Sequence, residues 1–118
     1  MASQTTLKKQ QDLQTTYGNY KSTLQALAQK IGDIEQNQEE HKLVLETLEP
    51  LPGDRKCFRM INGVLTERTV EEVVPILKTN SDGLKKTLEE LVKQYKGKQD
   101  EMEKWKKKNN VQVVQQPQ

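Results

Sequence analysis

The sequence predicts a mainly α fold, in which two long helices form an antiparallel coiled coil and one β-hairpin joins them at the turn. Three observations predict it: two heptad patterns of equal length, an Asn62-Gly63 turn signal between them, and a composition rich in helix-forming residues. Of the 118 residues only 32% are hydrophobic and 4% are aromatic, whereas 31% are charged. A thick globular core is not expected, and long solvated helices are favoured.

The first predicted helix covers about residues 5–49 and ends before Pro50. Apolar and aromatic residues recur at alternating spacings of four and three, which is the seam of a coiled coil. The same spacing continues through the polar residues Gln38 and His41. The seam consists of Leu13, Tyr17, Tyr20, Leu24, Leu27, Ile31, Ile34, Gln38, His41, Leu45 and Leu48.

The second predicted helix covers about residues 69–109 and begins at a capping-box signature, Thr69 with Glu72 three residues later. Pro75 lies inside this helix and is expected to bend it without ending it. A second seam with the same spacing runs through Val70, Val74, Leu77, Ser81, Leu84, Leu88, Leu91, Tyr95, Lys98, Met102 and Trp105.

Pairing the two seams in antiparallel order brings polar residues together and apolar residues together. This agreement favours a single helical hairpin over helices that pair with other chains. The partners predicted away from the turn are Gln38 with Ser81, Tyr20 with Lys98, Tyr17 with Met102, and Leu13 with Trp105.

Residues 50–68 are predicted to form a linker and a β-hairpin, because Asn-Gly is the strongest two-residue turn signal. The turn places Ile61 opposite Val64 and Met60 opposite Leu65. An isolated hairpin is marginally stable and has unpaired edges, so we expect it to assemble with other chains. The alternative is a hairpin folded against its own helix ends. The predicted assembly residues are Cys57, Phe58, Met60, Ile61, Val64 and Leu65.

Composition also argues against several classes of function. No apolar run could cross a membrane, and the N-terminus lacks the apolar segment of a signal peptide, which favours a soluble cytoplasmic protein. One cysteine excludes an intramolecular disulfide, and one histidine leaves too few soft ligands for a zinc site, so no metal site is expected. His41 is interpreted as a polar seam residue, and Cys57 as a small buried hydrophobe rather than a reactive thiol. No catalytic residue and no cofactor are expected.

The order of helix, hairpin and helix, with RKCFRMINGVLTERTVEEVVPIL at residues 55–77, resembles the β-type subunits of the prefoldin family. EHKLVLETL at residues 40–48 and EKWKKKNNVQVV at residues 103–114 reinforce the resemblance. It implies a heterohexamer of two α-type and four β-type subunits, with a β-barrel body and six coiled-coil tentacles. It also implies an ATP-independent cochaperone that captures unfolded actin and tubulin at the tentacle tips and passes them to the cytosolic chaperonin.

The resemblance places client binding at the free helix ends, and residues 110–118 are expected to be a flexible tail. Charge differs along the chain. Residues 32–49 contain six acidic residues and one lysine, whereas residues 93–108 contain seven lysines and three acidic residues. A solvated helix surface is the favoured interpretation of the basic end, and attraction of acidic clients is the competing hypothesis. The candidate client-binding residues are Leu7, Leu13, Tyr17, Met102, Trp105, Val111, Val113 and Val114.

Two other functions compete with this interpretation. A structural tether or adaptor would need only the heptad seams, but it would not need the Asn62-Gly63 hairpin. A nucleic-acid binder would use Lys104 and residues 106–108 with Trp105 between them, and four lysines on one helix end are weak evidence for it. Neither nucleic acid nor a membrane is therefore an expected partner.

Overall fold

The computed structural model describes residues 4–111 and consists of two long helices joined by a β-hairpin. Helix α1 spans Gln4–Leu48, strand β1 Lys56–Ile61, strand β2 Val64–Thr69 and helix α2 Val70–Lys108. The predicted mainly α class with one hairpin between the helices is confirmed. None of the described helices combines the length and apolar character that a membrane span requires.

The chain divides into two compact units. The hairpin unit comprises residues 31–90, and the terminal unit comprises the described residues before 31 and after 90. Each unit contains a segment of α1 and a segment of α2.

Burial along the helices follows the predicted seams. All eleven predicted seam residues of α1 are half-buried, whereas most of their neighbours are exposed. On α2 the seam residues are half-buried or buried, except Lys98, which is exposed. Two side chains are buried among the described residues, Val70 at 4% exposure and Val73 at 5%, and Val73 lies beside the predicted seam position Val74.

The hairpin has the predicted register. Ile61 pairs with Val64, Met60 with Leu65, and Phe58 with Glu67, in an antiparallel two-stranded sheet. Asn62 and Gly63 have φ angles of 49° and 81°, in the left-handed region that a two-residue hairpin turn requires. The Asn-Gly signal therefore determined the pairing of both strands.

The linker between α1 and β1 holds the start of α2. The first backbone amides of a helix lack partners within it. Here the Val70 amide donates to the Arg55 carbonyl and the Glu71 amide donates to the Gly53 carbonyl, each at 3.0 Å. The Thr69 hydroxyl donates to the Glu72 carboxylate at 3.1 Å, so the two side chains of the predicted capping box bond to each other.

Gly53 lies close to the Glu71 side chain, so a larger residue here would require that side chain to shift. A Cβ atom at this position would lie 3.2 Å from Oε2 of Glu71 and 3.3 Å from its Cβ.

In the terminal unit, aromatic residues join the two helices. The rings of Tyr20 and Trp105 lie 5.7 Å apart between centroids, and Nζ of Lys106 lies 5.9 Å from the Tyr17 ring centroid. Trp105 was predicted to meet Leu13, two helical turns from its actual aromatic partner. Side chains lean toward the N-terminus of their own helix. In an antiparallel pair, the Tyr20 and Trp105 rings therefore approach each other from different levels.

The residues of two other predicted pairs are neighbours in the structure. Tyr20 and Lys98 line the same shallow groove of the terminal unit. Gln38 and Ser81 line another groove within the hairpin unit. The predicted backbone alignment is thus supported in each unit, and the difference at Trp105 comes from side-chain direction.

Helix α2 ends in a Schellman motif. The Val111 amide donates to the Lys106 carbonyl at 2.9 Å, and the Asn110 amide donates to the Lys107 carbonyl at 3.3 Å. Asn110 has a φ of 52°, the left-handed conformation that this motif needs. The side-chain amide of Asn109 also donates to the Trp105 carbonyl at 3.0 Å. Three carbonyls of the last turn, those of residues 105–107, therefore accept hydrogen bonds.

Candidate assembly and client-binding surfaces

One face of the hairpin is apolar and open. Because side chains alternate across a strand, residues 58, 60 and 65 share one face of the paired strands. Phe58, Met60 and Leu65 on this face are 64%, 65% and 61% exposed. Lys56 and Glu67 lie on the same face and form an ion pair at 3.2 Å. The face is therefore an apolar surface with a charged pair at its side.

The opposite face of the hairpin is partly covered. Cys57, Arg59 and Thr66 are half-buried there, whereas Ile61 and Val64 near the turn are exposed. Cys57 is a free thiol. The hairpin therefore leaves one face open and the other covered only in part.

The predicted client-binding residues differ in exposure. Leu7 is 50% exposed, and Val111 at the end of α2 is half-buried. Four seam residues of the terminal unit, Leu13, Tyr17, Met102 and Trp105, are half-buried. Val113 and Val114 lie outside the described residues. Leu7 is thus the most accessible of the described candidates.

Several lysines of the terminal unit are available to a charged partner. Lys98 pairs with Glu101 at 3.0 Å and Lys106 pairs with Glu103 at 3.3 Å. Lys104, Lys107 and Lys108 are exposed and form no ion pair with any described residue. The end of α2 therefore presents unpaired positive charge.

His41 lies on the seam as predicted. Its Nδ1 donates to the Asn37 carbonyl of the preceding helical turn at 2.8 Å. Within residues 4–111, His, Cys, Asp and Glu side chains form no group of three or more that could bind a metal ion. His41 is thus integrated into the helix by a local hydrogen bond.

Three of the large apolar residues that are exposed in the described part of the chain were not among the predicted sites. Leu43 and Val44 on α1 and Ile76 on α2 are exposed and lie outside both seams. Their positions outside the heptad seams could have identified them from the sequence. The coiled coil does not need a large apolar residue at such a position, which suggests another role.

Known proteins resemble this chain over most of its length. The family model described as "Prefoldin subunit" matches residues 11–116. The chain belongs to the prefoldin family.

Two prefoldin relatives and one prefoldin structure illustrate the similarity. The chain is 53% identical over 108 residues to the probable prefoldin subunit 2 of Schizosaccharomyces pombe, covering 92% of this chain and 95% of that protein. It is 40% identical over 88 residues to prefoldin subunit 2 of Homo sapiens, covering 75% of this chain and 57% of the human protein. The prefoldin β subunit from Thermococcus strain KS-1 shares the fold, with a TM-score of 0.70 at 22% identity over 80% of this chain and 82% of that one.

Family membership defines the general role. Prefoldin subunits are chaperone cofactors without enzymatic activity, and they assemble with other prefoldin subunits. The open face of the hairpin and the accessible residues of the terminal unit are therefore candidate surfaces for binding other proteins.

Proposed function

We propose that this chain is a β-type subunit of a cytoplasmic heterohexameric prefoldin that contains two α-type and four β-type subunits. The complex captures unfolded or nascent proteins, actin and tubulin among them, and passes them to the cytosolic chaperonin without ATP hydrolysis. One observation carries the assembly part of this proposal: a chain of the prefoldin family presents an open, apolar hairpin face.

The hairpin provides both the edges and the apolar area that assembly needs. Unpaired strand edges are templates for pairing with another chain, and closing strands into a barrel removes these edges. Burying a large apolar side chain contributes roughly 1.5–3 kcal/mol. Phe58, Met60 and Leu65 are all exposed, so covering each of them with partner strands would favour association.

The assembly role is tested by replacing Phe58, Met60 and Leu65 with serine in one variant. We expect the chain to keep its helicity by circular dichroism but to be absent from the hexamer when mixed with partner prefoldin subunits. Light scattering on a sizing column measures the mass of the assembly. Leu7→Ser, an exposed leucine of the terminal unit, is the matched control and is expected to assemble normally. Normal incorporation of the triple variant would contradict assembly through the hairpin.

Client capture is proposed to use the terminal unit. Leu7 is accessible, and the flexible side chain of Met102 suits weak binding to varied nonnative chains. Deleting residues 111–118 together with Trp105→Ala is expected to leave assembly intact and to weaken the suppression of client aggregation. Because Trp105 packs on Tyr20, the deletion alone and Leu7→Ser should be measured beside the combined variant. Unchanged suppression in all three would mean that other subunits hold the client.

The unpaired lysines are proposed to steer acidic clients such as actin and tubulin. Long-range attraction accelerates association and weakens as salt rises. Replacing Lys104, Lys107 and Lys108 with glutamine is expected to slow the capture of unfolded actin at low salt and to remove most of the salt dependence. An identical capture rate and salt dependence in the variant would show that these charges only keep the helix solvated.

A further inference from the structure

The large exposed apolar side chains of the described residues are concentrated in one part of the chain. Eight of the nine lie between residues 43 and 76, and the ninth is Leu7. Five of these eight belong to the hairpin itself: Phe58, Met60, Ile61, Val64 and Leu65. The remaining three lie on the helix ends that flank the hairpin.

These three residues are Leu43 and Val44 near the end of α1 and Ile76 near the start of α2. They are 54%, 44% and 40% exposed. The seam residues beside them, such as Leu45 and Leu77, are half-buried. Isolated exposed leucines are ordinary on protein surfaces, but their restriction to the helix ends beside an open hairpin is not explained by the coiled coil.

We infer that Leu43, Val44 and Ile76 extend the assembly surface beyond the hairpin and are covered by a neighbouring prefoldin subunit. The segment that covers them is an apolar strand flanked by arginine or lysine side chains. This inference rests on the proposed function, because it assumes that the hairpin unit is the part of the chain that assembles.

Charge defines the chemistry of the partner. Glu39, Glu40 and Glu46 surround Leu43 and Val44 on α1; all three are exposed and form no ion pair with any described residue. These three acids outweigh the single exposed Lys42 beside Leu43, so this helix end is net negative, attracts a basic partner and repels an acidic one.

The fold itself contains a segment of this kind. Strand β1 has Phe58 between Lys56 and Arg59, and Arg55 directly precedes the strand. A related hairpin from another subunit would bring apolar and basic side chains together to the acidic helix end. This complementarity favours a prefoldin neighbour over an acidic client as the partner.

The inference is tested with a variant that carries Leu43→Gln, Val44→Gln and Ile76→Gln. Glutamine retains helix propensity, and the replaced side chains are exposed, so the helicity of the isolated chain should not change. Variant and wild type compete for incorporation into complexes with tagged partner subunits. Native mass spectrometry measures the fraction of complexes that contain the variant and the fraction that contain the wild-type chain. We expect incorporation of the variant to be at least tenfold lower, whereas Leu7→Gln competes equally with wild type.

Charge reversal provides a second readout that does not depend on apolar area. The variant Glu40→Lys with Glu46→Lys should incorporate less well than wild type. The deficit should be largest at low salt and should shrink as salt screens the repulsion. A deficit that does not change with salt would contradict a basic partner segment.

The outcomes separate this inference from the proposed function. Wild-type incorporation of the glutamine variant, with loss of the serine hairpin variant, overturns the inference and leaves assembly through the hairpin standing. Wild-type incorporation of both variants contradicts the proposed assembly itself. A glutamine variant that changes only the mass of the isolated chain identifies a second copy as the occupant. A glutamine variant that assembles normally but suppresses client aggregation less well identifies a client as the occupant. Occupation by a second copy or by a client overturns the inference.

Discussion

The hairpin unit and the terminal unit differ in what they bury and what they leave exposed. The hairpin unit contains both buried side chains of the described residues, Val70 and Val73, and also eight of the nine large exposed apolar side chains. The terminal unit has no buried side chain among its described residues, and its single large exposed apolar side chain is Leu7. The unit with more exposed apolar area is thus also the unit with the more deeply buried side chains. This combination indicates an interface rather than poor packing.

The terminal unit is held together by a different kind of contact. The tilted Tyr20 and Trp105 rings and the Lys106 ammonium beside Tyr17 join α1 to α2 there. All four side chains are half-buried. Because local stability depends on buried apolar contacts, the terminal unit is expected to open at a lower free energy than the hairpin unit.

The largest expected effect on stability comes from Trp105→Ala. Removing a core tryptophan costs about 3–5 kcal/mol, and this half-buried ring also loses its aromatic partner, so we expect a cost of about 3 kcal/mol. Hydrogen exchange should show faster exchange in the terminal unit and little change around Val73. Trp105→Phe retains a ring and should restore most of the protection. Equal loss of protection in both units would break the distinction between them.

Val73→Ala should destabilise the hairpin unit by about 2 kcal/mol, because it removes buried methyl groups from a small core. Val44→Ala makes the same chemical change at an exposed position of the same unit and should cost less than about 0.5 kcal/mol. Urea unfolding followed by circular dichroism measures both. Similar values for the two variants would show that Val73 is not a core residue.

Gly63→Ala and Gly97→Ala are expected to have opposite signs. Gly63 has a φ of 81°, where an alanine costs about 1 kcal/mol. Gly97 lies inside α2 with no atom within 4 Å of an added Cβ, so alanine there should stabilise by about 1 kcal/mol. Thermal unfolding of the two variants gives the comparison. A neutral Gly63→Ala variant would contradict the left-handed turn.

The smallest expected effects come from two lysine variants. Lys106→Met retains the stem over Tyr17 but removes the charge, and with it the ion pair with Glu103. A cation–π contact of this kind is worth about 0.5–1 kcal/mol at an exposed site. Lys98→Met, which removes the ion pair of an exposed lysine with Glu101, should cost no more than a few tenths of a kcal/mol. Equal destabilisation by both variants would show that the ring contact contributes nothing beyond a surface ion pair.

The sequence by itself determined the two helices, their seams and the register of the hairpin. The seam residues of α1 could be identified because helical periodicity is a local property of the chain. Asn62-Gly63 specified the pairing of six residues on each strand, since few other residue pairs adopt the backbone of that turn.

The tertiary structure alone decided how side chains meet across the two helices. Trp105 packs on Tyr20 because both side chains lean along their own helices, and a heptad register does not contain that information. The carbonyls of Gly53 and Arg55 hold the start of α2 from a linker without periodicity, which no local pattern indicated. Val73 lies off the predicted seam, and its burial was likewise not indicated by the heptad pattern. Contacts between segments that are distant in sequence form only when the chain folds. These contacts decide which side chains are covered and which stay exposed.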